Sequence, residues 1–64
     1  MVYLDFHKDL KNKTVRLPEA AAGRKITIVE KTPSLTLHTA GTVPPEGISL
    51  DVTGKYGYLV LKLD

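Results

Sequence analysis

The sequence predicts an all-β domain, a small antiparallel β-sandwich or barrel of about six short strands that is completed by oligomerisation. Two observations predict the fold class. Apolar residues recur at every second position in six places: Val2-Leu4-Phe6, Val15-Leu17, Ile26-Ile28, Leu35-Leu37, Ile48-Leu50-Val52 and Leu59-Leu61-Leu63. A period of two belongs to strands with one face buried and one face wet. The segments between these places are short and hold most of the Gly, Pro and Asn residues, which leaves no room for a long helix.

The expected oligomer follows from size. A chain of 64 residues is one domain, residues 1–64, and it buries only about 60% of the surface its unfolded form exposes. Burial at ~25 cal/mol per Å² and chain ordering at ~1.5 kcal/mol per residue then nearly cancel. Disulfides, a structural metal or association usually make up the difference. The chain has no Cys, and its two His residues, His7 and His38, are isolated rather than spaced for zinc. No cofactor or metal is expected, and association remains.

The elements follow in order. Val2, Leu4 and Phe6 alternate with Tyr3, Asp5 and His7, so the chain opens on an amphipathic strand. Lys8-Asp9-Leu10-Lys11-Asn12-Lys13 is polar and carries turn formers, which predicts a link to a second strand beginning at Thr14. Leu17-Pro18 ends that strand, because proline cannot donate to a ladder. Glu19-Ala20-Ala21-Ala22 has the composition of one helical turn, with Gly23 as its stop.

Arg24 to Lys31 is the clearest strand. Ile26 and Ile28 point inward, Thr27 points outward, and Val29 extends the apolar content towards burial on both faces. Thr32-Pro33-Ser34 is a turn, and Leu35-Thr36-Leu37-His38-Thr39 resumes the alternation with His38 on the polar face. Gly41 to Gly47, with Pro44-Pro45, reads as a stiff extended loop that Val43 anchors. Ile48 to Thr53 and Tyr58 to Leu63 are the last two strands, separated by the glycine-bracketed turn Gly54-Lys55-Tyr56-Gly57. Two strand pairs joined by tight turns are the expected local units.

Catalysis lacks its parts. The serines, Ser34 and Ser49, fall in a turn and on the polar face of a strand, without an oriented base. Asp5, Asp9, Glu19, Glu30, Glu46, Asp51 and Asp64 are scattered over turns and solvent-side positions rather than paired in a cleft. No glycine-rich loop precedes a helix that would hold a phosphate. A non-enzymatic protein is expected.

Charge excludes little. Nine Lys and Arg against seven Asp and Glu leave +2, too little for a nucleic-acid footprint by itself. Seven of the nine bases lie at or before Lys31, against four acids. A small barrel could set Lys8, Lys11, Lys13, Arg24 and Lys25 beside the stacking surfaces of Tyr3, Tyr56, Tyr58 and Phe6 and bind single strands. Tyrosine is more commonly a strand-packing or interface residue, which is the use expected here, and a sugar site on Tyr56 or Tyr58 is a third. No apolar run is long enough to cross a membrane as a helix, and Met1 to Asp5 lacks the pattern of a signal peptide. A soluble chain with no membrane partner is expected.

From Thr14 to Val29, Thr14-Val15-Arg16-Leu17-Pro18-Glu19-Ala20-Ala21-Ala22-Gly23-Arg24-Lys25-Ile26-Thr27-Ile28-Val29, the chain resembles a β-module of bacteriophage tail fibres, tail spikes and related virion appendages. There a strand ending in Leu-Pro leads through small residues into a Gly-(Arg/Lys)-x-(Ile/Tyr)-Thr-Ile strand. Leu35-Thr36-Leu37, Ile48-Ser49-Leu50 and Gly54 fall where the rest of that pattern places them, so the resemblance covers the chain from Thr14 onward. The Asp-Gly-x-x-Trp segment that often closes such modules has no counterpart, since the chain holds no Trp.

The resemblance implies a homotrimer and a virion location, after a soluble phase in the host cytoplasm. The Met1 start and short length point to a whole small protein, such as a capsid decoration or cementing protein. Its expected partners are copies of itself and other virion proteins of the capsid or tail. Val2, Leu4, Phe6, Leu59, Leu61 and Leu63 are the residues expected at the oligomer interface. Lys11, Lys13, Arg24, Lys25, Tyr56 and Tyr58 are the expected contacts to a partner.

Overall fold

The computed structural model describes all 64 residues. Six strands form in chain order: β1 (Val2–Phe6), β2 (Leu10–Val15), β3 (Ile26–Lys31), β4 (Leu35–Leu37), β5 (Ile48–Val52) and β6 (Gly57–Leu63). They make two three-stranded antiparallel sheets. Sheet A has the order β1-β6-β3, and sheet B the order β2-β5-β4. A single 3-10 turn, Glu19–Ala21, sits between β2 and β3 and stops before Gly23, whose φ is 82°. The all-β class and the short turn agree with the sequence pattern.

The core lies between the sheets. Leu35, Ile48, Leu50, Val52, Leu59 and Leu61 are fully buried, and five of these six come from the two central strands β5 and β6. Each such side chain contributes about 1.5–3 kcal/mol by leaving water. Val2, Leu4, Phe6, Leu10, Val15, Leu17, Ile26 and Leu37 pack against the cluster from the edges and remain partly exposed. Val43 is buried and anchors its loop: Gly23 N donates to Val43 O at 2.8 Å and Val43 N to Arg24 O at 2.9 Å.

This burial corrects part of the expected oligomer interface. β6 is the middle strand of sheet A, so its inward leucines face sheet B of the same chain. Leu59 and Leu61 are 0% exposed and have no surface left for a second copy. Val2, Leu4, Phe6 and Leu63 are half-buried, so each keeps some accessible surface.

Three further expectations are corrected. β2 begins at Leu10 rather than Thr14, within the stretch expected to be a link. A β-bulge between Leu10 and Lys13, with Asn12 at φ 50°, breaks the alternation and hides an edge strand in a polar run. Val29 is not buried on either face. It occupies a bulge between Ile28 and Glu30 on the edge strand β3 and is 49% exposed. Tight-turn hairpins are also absent, because every connection but one crosses from one sheet to the other. Only β4 and β5 are neighbours both in the chain and in a sheet, and the loop His38 to Gly47 joins them.

The crossing turns are held by side chains. Asp9 Oδ1 accepts from Gly54 N at 2.8 Å, which ties the turn after β1 to the turn after β5. Thr53 N donates to Ser34 O at 2.9 Å, Ser34 Oγ donates to Tyr56 O at 2.7 Å, and Thr32 Oγ1 accepts from Tyr58 N at 3.1 Å. These bonds join Thr32-Pro33-Ser34 to the turn between β5 and β6 and to the start of β6, replacing the ladder that a hairpin would have supplied.

Candidate functional site

The face of sheet A turned away from sheet B carries the most distinctive side chains. In β6, Leu59 and Leu61 point into the core, so Tyr58, Val60 and Lys62 point out. The β1 register sets Tyr3 opposite Val60 and Asp5 opposite Tyr58, and the β3 register sets Glu30 opposite Val60 and Thr27 opposite Lys62. Val60, flanked by Tyr3 and Glu30, is only 4% exposed despite facing outward. Tyr3 is 74% exposed beside it.

Aromatic rings gather at one end of this face. Tyr56 and Tyr58 lie with centroids 6.2 Å apart, and His7 lies 5.2 Å from Tyr56, both pairs tilted by 45°. Their hydroxyls are spoken for by acids: Tyr56 donates to Asp5 Oδ1 at 3.3 Å, and Tyr58 donates to Glu30 Oε2. The Glu30 hydrogen bond holds the Tyr58 hydroxyl above its ordinary value, with desolvation and the Glu30 charge adding to it. Desolvation, then the Asp5 charge and hydrogen bond, raises Tyr56. The surface is thus an aromatic patch edged by carboxylates.

Of the residues expected at a partner contact, the fold brings Tyr56 and Tyr58 together and leaves the bases elsewhere. Lys11 and Lys13 belong to β2 in sheet B. Lys11 lines a shallow groove of about 380 Å³ with Asp9, Leu10, Asp51, Val52 and Thr53. Arg24 and Lys25 precede β3, where Arg24 Nε donates to Ala20 O at 3.0 Å and Lys25 exchanges backbone bonds with Asp64. A groove combining bases with stacking rings does not form.

The groove beside Lys11 holds acids whose work is structural. Asp51 Oδ1 accepts from Asn12 N at 2.6 Å and from His38 Nε2 at 3.0 Å. One side chain on the central strand β5 thereby fastens the β2 bulge and the end of β4. The Asn12 N–H, then the His38 hydrogen bond, holds the Asp51 carboxyl below its ordinary 3.8, against desolvation. A lowered carboxylate contributes stability above its unfolded value and loses it as pH falls through the folded value. Asp51→Asn is expected to be less stable than wild type at about pH 7, with a narrower gap at about pH 3. Thermal melts at the two pH values check this; a gap that stays as wide in acid would show that the Asp51 charge is not what holds the bulge.

No group of three or more His, Asp or Glu side chains is placed to hold a metal ion, and no helix is long and apolar enough to cross a membrane. Scans against protein-family models, curated proteins and solved structures find no match to the chain. The residues missed by sequence reasoning are Val60, which the alternation assigns to a polar face, and Glu30 and Asp5 as partners of the tyrosines. Asp5 lies 51 residues from Tyr56, and Glu30 28 from Tyr58, so no local pattern signals either pair.

Proposed function

We propose that this chain is a non-enzymatic structural protein of a bacteriophage virion, a capsid-decorating or tail-fibre-like module that associates with copies of itself. It attaches to the particle through the outer face of sheet A. The observation that carries the attachment surface is the cluster of Tyr56, Tyr58 and His7 on the outer face of sheet A, with the exposed Tyr3 on the same face. Tyrosines are enriched in protein interfaces because they give large contact area at low entropy cost and keep a polar tip for the rim.

Two features support the reading. The segment that resembles virion appendage modules, Thr14 to Val29, runs from the end of β2 through Pro18 and the 3-10 turn into β3, the strand, small-residue turn and strand order of those modules. The carboxylates of Asp5 and Glu30 on the tyrosine face favour a protein surface that presents Arg, Lys or backbone N–H donors. They disfavour a phosphate backbone, and Lys11, Lys13, Arg24 and Lys25 lie away from the tyrosines, so the nucleic-acid reading finds no support in their placement.

The test is incorporation. The tagged chain, expressed in infected host cells, is expected to co-purify with density-gradient-purified particles in fixed ratio to a capsid or tail protein. Tyr56→Ala with Tyr58→Ala is expected to leave the chain in the lysate and off the particle. Particles free of the wild-type chain, when the lysate contains it, would sink the proposal.

A further inference from the structure

Two three-stranded sheets expose four edge strands, and three of them are blocked. β3 carries the Val29 bulge, and its start is already paired: Ile26 N donates to Gly41 O at 2.8 Å, and Lys25 bridges to Thr42. β2 is interrupted by its own bulge, with Asn12 at φ 50° and Lys11 and Lys13 beside it. β4 has only three residues. Short strands, bulges and lysines are the usual means of keeping a sheet edge from pairing with another chain.

β1 has none of these. Its five residues pair with β6 in unbroken register, Val2 with Leu61 through Phe6 with Gly57, and contain no bulge, proline or lysine. On its other side, no backbone group from Val2 to Phe6 has a partner in the chain. An open, regular edge of this kind is a template for an added strand.

We propose that the added strand is β1 of a second copy, paired antiparallel about a two-fold axis at Leu4. This deepens the self-association reading above and rests on it. The order Val2-Tyr3-Leu4-Asp5-Phe6 is self-complementary in that register. Leu4 meets Leu4, and Val2 meets Phe6, extending the inner apolar face without a break. On the outer face Tyr3 meets Asp5, the same hydroxyl-to-carboxylate pairing that Tyr56 already makes with Asp5 inside the chain.

Two of the neighbouring registers are penalised. A slip of one residue puts the inner face of one copy against the outer face of the other. A slip of two towards the C-terminus sets Asp5 against Asp5, and like charges directly opposite are destabilising. The product is a six-stranded sheet of order β3-β6-β1-β1-β6-β3. A five-residue edge alone makes a small contact, so the pair is weak in dilute solution and forms where neighbours are held close, as on a particle.

Sedimentation equilibrium up to about 1 mM, the effective concentration of tethered neighbours, tests this. Wild type is expected to form reversible dimers. Tyr3→Glu places an acid opposite Asp5 at both ends of the interface and is expected to weaken dimerisation by about tenfold. Adding Asp5→Lys to Tyr3→Glu is expected to restore it by pairing opposite charges. Circular dichroism verifies that the variants are folded, since Tyr3, though 74% exposed, flanks the buried Val60.

Isotope-filtered NMR on the wild-type dimer supplies an independent check, with a contact expected between Leu4 of one copy and Leu4 of the other. A trimer, a dimer indifferent to both substitutions, or a dimer lacking the Leu4 contact would overturn β1 pairing and leave self-association standing. A chain still monomeric at about 1 mM overturns both, whatever is found on particles.

Discussion

Gly47→Ala is expected to cost more than about 3 kcal/mol and to leave little folded protein at 37 °C. Gly47 sits at φ 109°, a backbone region that a side-chain-bearing residue enters only under strain. Space is the larger problem. A Cβ there would lie 2.1 Å from Val15 O, 2.8 Å from Val15 C and 2.9 Å from Arg16 Cα, all backbone atoms with no rotamer to yield. Relief requires the end of β2 to move off β5, and Val15 and Leu17 would leave the core with it. Gly23→Ala is the control, with φ 82° and nothing within 4 Å of the added carbon. It should pay only the backbone term of about 1–2 kcal/mol. Urea denaturation of the two variants separates strain from collision; equal costs would mean that the approach of Gly47 to β2 is looser than described.

Leu61→Ala is expected to cost about 2–5 kcal/mol. Leu61 is 0% exposed at the centre of sheet A, with Val2 and Ile28 as its cross-strand neighbours, so truncation leaves a void that neither flanking strand can fill without losing its pairing. Domains are held by roughly 0.05–0.15 kcal/mol per residue, so a chain of this size has less than about 10 kcal/mol to lose. Leu61→Met keeps the volume and should cost less than about 1.5 kcal/mol. Chemical denaturation at fixed protein concentration measures both, since any dimer would otherwise shift the midpoint. A cost for Leu61→Ala no larger than that of Leu61→Met would count against β6 as the strand on which sheet A is built.

What the sequence made legible was burial, strand by strand, where the alternation is intact. β1, β4, β5 and β6 could be read because each has an inward face facing the core. β2 could not be read to its start, because an edge strand needs few inward residues and its bulge at Lys11 and Asn12 shifts the phase. Val60 was missed because a central strand in a narrow sheet is covered on its outer side by long neighbours, here Tyr3 and Glu30. Pairing itself was illegible, since alternation says which face a residue takes but not which strand it lies beside. Tyr56 and Tyr58 stand out in the sequence as candidate contact residues, whereas His7, Asp5 and Glu30 join them only through the sheet register.

The pairing of β1 with β6 has a consequence for how the chain is made. Leu4 finds Leu59 as its partner, so β1, made before β6, has no ladder until β6 has left the ribosome. At ~5–20 residues per second that wait lasts several seconds. Through it, Val2, Leu4 and Phe6 are exposed with both strand edges free, and neighbouring nascent chains on the same message carry the same segment. The interval in which this protein is most open to mispairing is therefore set by translation speed, and slowing the ribosome over β5 and β6 is where aggregation would first appear.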